Sequence, residues 1–160
     1  MPEKPVPAIL FVCLGNICRS PLAEGVFRAV AQERFPGVGM TIDSAGTGGW
    51  HAGSPPDPRS VAIARCYGID ISGQKARRIS RQDFERFDLI LGMDLSNVAD
   101  LRAAAPTASA GRIHLFHEFA TGRALEVPDP YYGGADGFDD VYRMIRDAAE
   151  SLADRLADPR

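Results

Sequence analysis

Residues 8–21 constrain the fold of this chain more than any other stretch. Ala8-Ile9-Leu10-Phe11-Val12 is an unbroken apolar run of strand length, and Leu22, Ala23, Val26, Phe27, Val30 and Ala31 follow at helical spacing. Only Cys13-Leu14-Gly15-Asn16-Ile17-Cys18-Arg19-Ser20-Pro21 separates the two patterns. A buried strand that passes through so short a loop into a helix gathers backbone N–H groups beside the partial positive charge of the helix N-terminus, which makes an anion-binding concavity. A cysteine in that place ionises more readily than a free thiol and becomes a nucleophile. Arg19 adds a planar fork of donors that matches two oxygens of a phosphate. A lone cysteine near a strand end is often a small buried hydrophobe, and C-x5-R recurs by chance. Here the position, the flanking elements, Gly15 and Asn16 agree, and the nine residues read as a phosphoryl-transfer site.

Further along, strand and helix patterns alternate. The first unit is a strand over 8–13 and a helix over 20–34, ended near Pro36-Gly37. A second strand is expected at Met40-Thr41-Ile42-Asp43-Ser44, followed by a Gly-rich loop from Gly46 to Gly53. Asp57-Pro58 has the form of an N-cap and first helical residue, with Val61, Ile63, Ala64 and Tyr67 beneath it and Gly68 as its stop. Cys66 falls on the apolar stripe of that helix and is expected in the core. A basic loop, Lys75-Ala76-Arg77-Arg78, precedes a third strand over 88–93, and Asp94 or Ser96 is placed to cap the next helix. Ile113-His114-Leu115-Phe116 reads as a fourth strand, with His114 and His117 as packing or surface residues. Phe138, Val141, Tyr142, Ile145, Ala148, Ala149, Leu152 and Leu156 form the stripe of a last helix. The alternation predicts an α/β class fold, a single-domain doubly wound sandwich with a mostly parallel four-stranded sheet flanked by helices. Ligands of such sheets bind at the carboxyl ends of strands, where Cys13 falls. A dinucleotide fold is the obvious competitor, but G-x-G-x-x-G is missing from the first turn, and no G-K-[ST] marks a nucleotide P-loop.

Composition sets outer bounds. A chain of 160 residues with 45% apolar and 24% charged content suits one globular domain over 1–160, with 1–7 expected to be flexible. A net charge of −3 gives no footing for nucleic acid or for electrostatic attachment to a membrane. The apolar run after Pro7 is too short for a signal peptide or a membrane anchor. Three cysteines without C-x-x-C spacing indicate neither a disulfide framework nor a metal site, and a reducing, cytoplasmic setting is expected; export without a signal peptide stays open.

At the Cys13 loop the chain resembles the low-molecular-weight protein tyrosine phosphatases. The resemblance covers nearly the whole chain: Ser44-Ala45-Gly46-Thr47, Trp50-His51 with Asp57-Pro58-Arg59, Met93-Asp94 with Asn97, and Asp129-Pro130-Tyr131-Tyr132-Gly133. It implies Cys13 as nucleophile, Arg19 as phosphate clamp and Asp129 as the acid that protonates the leaving oxygen. Without the resemblance Asp129 would stand among Asp57, Asp94 and Asp136, although capping is the stronger reading for Asp57 and Asp94. The flanking Pro128 and Pro130 stiffen the backbone at Asp129. The implied reaction passes through a phosphocysteine, releases inorganic phosphate and calls for no metal or cofactor. Leu14, Gly15, Asn16, Ile17, Cys18 and Ser20 are the expected substrate-binding loop, with Leu14 and Ile17 near the base of a slot. Trp50 and Tyr131 are implied as its walls, and Tyr132 flanks the acid. A deep narrow slot prefers phosphotyrosine to the shorter phosphoserine, so the expected partners are phosphotyrosine-containing proteins or aryl phosphates.

Several residues carry two readings. Ser20 is placed to donate to the departing sulfur or to cap the helix. Cys18 is a partner for a protective disulfide with Cys13 or an inert filler. Where many relatives carry a His that holds the loop Asn and the second-strand Ser, this chain has Gln74, which can donate and accept and so keep bonds to Asn16 and Ser44. An arsenate reductase of the same fold is the enzymatic alternative, but it needs relay cysteines and none follows Cys66. A dead phosphopeptide-binding module would need neither the nucleophile nor the acid.

Overall fold

A computed structural model describes residues 6–131 and 133–157. Strand β1 (Ile9–Cys13) pairs in parallel with β2 (Ile42–Gly46) on one side and β3 (Leu89–Gly92) on the other, and β4 (Ile113–Leu115) completes the order β2-β1-β3-β4. All three pairings are parallel, so every connection crosses over through helix. β1 is buried along its whole length, as its unbroken apolar run requires.

The two-residue period of the strand divides the core. Ile9, Phe11 and Cys13 face helix α1 (Arg19–Arg34) and join the larger apolar cluster, while Leu10 and Val12 join the smaller one on the opposite face. Phe11 packs against Phe27 of α1 and Phe116 of α5 (Phe116–Thr121), with ring centroids 5.9 and 5.1 Å apart. Helix α6 (Ala135–Ala157) closes that layer: Phe138, Val141, Tyr142, Ile145, Ala148, Ala149 and Leu152 are buried at the spacing the sequence gives them. The other face is covered by α3 (Asp83–Arg86) and α4 (Leu95–Ala104), through Phe84, Val98 and Leu101. A 3-10 turn over Thr107–Arg112 leads into β4.

Several expectations are adjusted. β2 begins two residues later than Met40 and runs through Gly46, because its pairing register with β1 sets Ile42 opposite Ile9 and Gly46 opposite Cys13. Helix α1 starts at Arg19, so Ser20 lies inside the first turn and Pro21 sits where no intrahelical donor is needed. Helix α2 (Pro58–Cys66) is capped by Asp57, whose side chain accepts from the Arg59 amide, and Gly68 follows at φ +77. Cys66 is exposed, not core, because α2 buries Ser60 and Ala64, and Cys66 lies half a turn past Ala64 on the outer face. Residues 1–5 of the expected flexible stretch, and Tyr132, lie outside the described residues. No helix among the described residues is long and apolar enough to cross a membrane.

Candidate active site

The Cys13–Arg19 loop turns its carbonyls outward. Thr47 and Gly48 donate backbone N–H to Cys13 and Leu14 at 2.9 Å each, Asp57 to Ile17 at 2.7 Å, and the Ser60 hydroxyl reaches the Cys18 carbonyl. None of the backbone N–H groups of residues 14–18 has a partner among the described residues. A loop with four of its carbonyls used and its donors unpaired among the described residues holds an anion. The turn depends on Asn16 at φ 57, the only non-glycine residue with positive φ among those described. Asparagine is the side chain best suited to that region, because its amide can bond locally.

That amide is held on every side. Asn16 Nδ2 donates to Ser20 Oγ (2.8 Å) and Ser44 Oγ (3.0 Å), while Oδ1 accepts from the Arg77 amide at 2.9 Å. Ser20 Oγ lies 3.0 Å from Cys13 Sγ, and no side-chain cap is formed by Ser20, so the sulfur-facing reading describes its place. Ser44 Oγ donates to Glu24 Oε1 at 2.7 Å, and Glu24 in turn accepts from Arg28. Burial pushes the Glu24 carboxyl above its ordinary range against the bonds from Ser44 and Arg28. Gln74 makes neither expected bond. Its Nε2 donates to the Pro21 carbonyl at 3.0 Å and its buried Oε1 has no partner. Asn16 and Ser44 satisfy each other and Glu24 instead, so the loop is held without the residue at 74.

Arg19 is buried, with 2% of its surface exposed. Its Nη1 donates to Asp94 Oδ2 at 2.6 Å and to the Val127 carbonyl at 3.0 Å. Nη2 lies 3.7 Å from Asp129 Oδ2. Nη1 is therefore fixed, while Nη2 lies on the side of Asp129. Asp94 also caps α4 in a capping box with Asn97. Its two oxygens divide the work, Oδ1 for the Asn97 amide and Oδ2 for Arg19. Sequence reasoning saw the cap and missed the ion pair, since the partners lie 75 residues apart. Asp129 is partly exposed, and its Oδ1 accepts the Tyr131 amide in a tight turn at 3.0 Å. Asp57, a rival carboxylate, is taken up by its own cap and by Arg59, which hold it below the usual carboxylate range.

A cavity of about 290 Å³ is lined by Cys13, Leu14, Gly15, Ile17, Cys18, Arg19, Trp50, His51, Asp129 and Tyr131. Cys13, Arg19, Asp129, Trp50 and Tyr131 thus share one space, while Asn16 and Ser20 are absent from its lining. His51, beside Trp50 in the sequence motif, was given no role there. Its ring sits so close to Gly15 that a Cβ there would meet it at 3.0 Å. Trp50 is largely exposed, with its indole folded over Gly48, where any Cβ would strike it. Cys13 and Cys18 are free and buried. Burial, with Asp57 and Cys13 nearby, pushes the Cys18 thiol up to about 12, so it stays protonated at neutral pH. A wider hollow of about 670 Å³ between Thr47, Arg81, Asp100 and Pro106 contains no cysteine among its lining residues. The described residues include no cluster of three or more His, Cys, Asp or Glu arranged to hold a metal.

Comparison with known proteins points the same way. A family model described as low molecular weight phosphotyrosine protein phosphatase matches residues 8–160. A fission yeast (Schizosaccharomyces pombe) protein of that name is 44% identical, over 93% of this chain and 96% of its own. The crystal structure of YfkJ from Bacillus subtilis superposes with a TM-score of 0.89 at 38% identity, covering 99% of this chain and 100% of that one. A protein tyrosine phosphatase from Entamoeba histolytica, solved with Hepes in its active site, also gives 0.89 at 38% identity, over 94% and 97% of the two chains.

Proposed function

Because the chain belongs to the low molecular weight phosphotyrosine protein phosphatase family, we propose that it hydrolyses phosphotyrosine and small aryl phosphate monoesters through a phosphocysteine on Cys13. The observation that carries this reading is the shared cavity of Cys13, Arg19 and Asp129 beside a loop whose amide N–H groups at 14–18 have no partner among the described residues. The Cys13 thiolate attacks phosphorus in line, and the S–P bond forms as the P–O bond to the aryl group breaks. The loop amides and the free edge of Arg19 hold the equatorial oxygens, whose charge they meet without reorganisation. Asp129 protonates the leaving oxygen, then takes a proton from the water that attacks the phosphocysteine and releases inorganic phosphate. Ser20 donates to the sulfur as it leaves. Trp50 and Tyr131 stack against the aromatic ring, and Leu14 and Ile17 border its lower part. The substrates are phosphotyrosine-containing proteins or aryl phosphates met in a reducing, cytoplasmic setting.

The acid is tested by leaving-group dependence. Asp129→Asn is expected to lower kcat/KM about a hundredfold for phosphotyrosine and far less for an aryl phosphate whose phenol is strongly acidic, since that phenolate departs unaided. An equal loss on both substrates would move the acid elsewhere.

A further inference from the structure

Arg59 joins three segments that the reaction needs in register. Its Nε and Nη2 form a fork on Asp57 at 3.0 Å each. Nη2 also donates to the Tyr131 carbonyl at 3.0 Å, and Nη1 to the Gly133 carbonyl at 3.2 Å. The guanidinium lies 4.6 Å from the ring centroid of Phe138 in α6 and 5.6 Å from that of Tyr131. Asp57 itself is bolted to the phosphate loop through its amide on Ile17, and Ser60 one turn on reaches Cys18. A continuous path therefore runs from the Ile17 carbonyl through Asp57 and Arg59 to the Tyr131 backbone, whose amide holds Asp129.

We propose that Arg59 is the positioning residue of the acid: it straps the backbone of Tyr131 and Gly133 to the N-terminus of α2, and so sets Asp129 over the Cys13 loop. Arg59 is absent from the residues that line the cavity, and it acts through the carbonyls of Tyr131 and Gly133. The strap accounts for three features at once. Among the described residues between Val127 and α6 there is no helix or strand, and the backbone bond within the stretch, Gly133 N–H to the Pro130 carbonyl at 3.0 Å, does not reach Asp129. A fork with two faces is needed because one carboxylate and two carbonyls approach from different sides, which an ammonium cannot reproduce. Asp57 is kept ionised by Arg59, which keeps the anchor charged. Arg19 alone, 3.7 Å from Asp129, is too distant for a hydrogen bond that would fix the carboxyl.

The proposal rests on Asp129 being the acid, and its test includes that residue as a reference. kcat/KM reports the steps up to phosphorylation of the enzyme, and is measured for phosphotyrosine and for 2,4-dinitrophenyl phosphate. Arg59→Ala and Arg59→Gln are expected to lose about tenfold or more on phosphotyrosine relative to the dinitrophenyl ester, since a displacement of about 1 Å in a reacting group is costly. Arg59→Lys, which keeps a charge and one donor direction, should recover part of that ratio. A loss equal on both substrates in the Ala and Gln variants, with Asp129→Asn still discriminating, would overturn the strap and leave the acid assignment standing. Failure of Asp129→Asn itself to discriminate would overturn both. Should Arg59→Ala not fold, the same ratio is read from Arg59→Gln and Arg59→Lys.

Discussion

Asp94→Asn isolates the ion pair with Arg19 from the helix cap that shares its side chain. Asparagine caps as well as aspartate, so the capping box with Asn97 survives on its single oxygen. That oxygen cannot also serve Arg19, whose Nη1 now meets Asp94 at 2.6 Å while only 2% of the side chain reaches solvent. Breaking a buried pair costs about 3–5 kcal/mol when one charge is left alone. The Val127 carbonyl still accepts from Nη1, and the Asp94 side chain is 19% exposed, so part of the charge is met by other dipoles and water. The expected loss is about 2–3 kcal/mol, the range of a hydrogen bond to a charged group. At about 2–4 °C per kcal/mol for a chain of this size, the melting midpoint should drop about 5–10 °C by calorimetry. Asp94→Ala loses the cap as well and should fall by about another 1 kcal/mol. Turnover should drop in both variants because the guanidinium is no longer aimed. A midpoint within about 1 °C of wild type for Asp94→Asn would refute the claim that Asp94 orients Arg19.

Two further outcomes follow from the same network. Asp83 is buried, which raises its pKa, but the Arg77 fork and the Ser80 amide outweigh this and hold it below the usual carboxylate range. Its contribution is complete above the unfolded value near pH 4 and is lost as pH falls through the folded value. Asp83→Asn should cost about 2 kcal/mol at neutral pH, with the gap to wild type narrowing below about pH 4 in denaturant titrations; a constant gap would contradict it. Mild peroxide should join Cys13 to Cys18 reversibly, and slowly, because the Cys18 thiol stays protonated at neutral pH. Peptide mapping that finds Cys13 overoxidised and Cys18 free would remove the protective role.

What was legible in the sequence is what local pattern encodes. The unbroken run of β1, the turn at Asn16, the Asp57-Pro58 start of α2 and the stripe of α6 each announce themselves in a single contiguous stretch. Helices α3 and α5 do not, because four and six residues are too few to show a period. Long-range pairing was opaque as well. Nothing near Asp94 says that Arg19 will reach it, and nothing near Arg59 says that the carbonyls of 131 and 133 will fold over it. Gln74 failed for a related reason: its amide had a nearer acceptor at Pro21, while Glu24, four residues before Arg28 on the helix, took the place expected for it beside Ser44. Cys66 was misplaced by apolarity alone, since a stripe on a nine-residue helix leaves its terminal residue free to turn outward.

The phosphoenzyme is the central claim, and it can be seen directly. Rapid acid quench of the protein turning over p-nitrophenyl phosphate, followed by mass spectrometry of peptides, should find one phosphoryl group on Cys13, enriched in Asp129→Asn if breakdown slows more than formation. Cys13→Ser should show no turnover while still binding inorganic phosphate, because the loop amides and Arg19 remain. A phosphoryl group on another residue, or turnover within about tenfold of wild type in Cys13→Ser, equivalent to about 1.4 kcal/mol of barrier, would contradict the account.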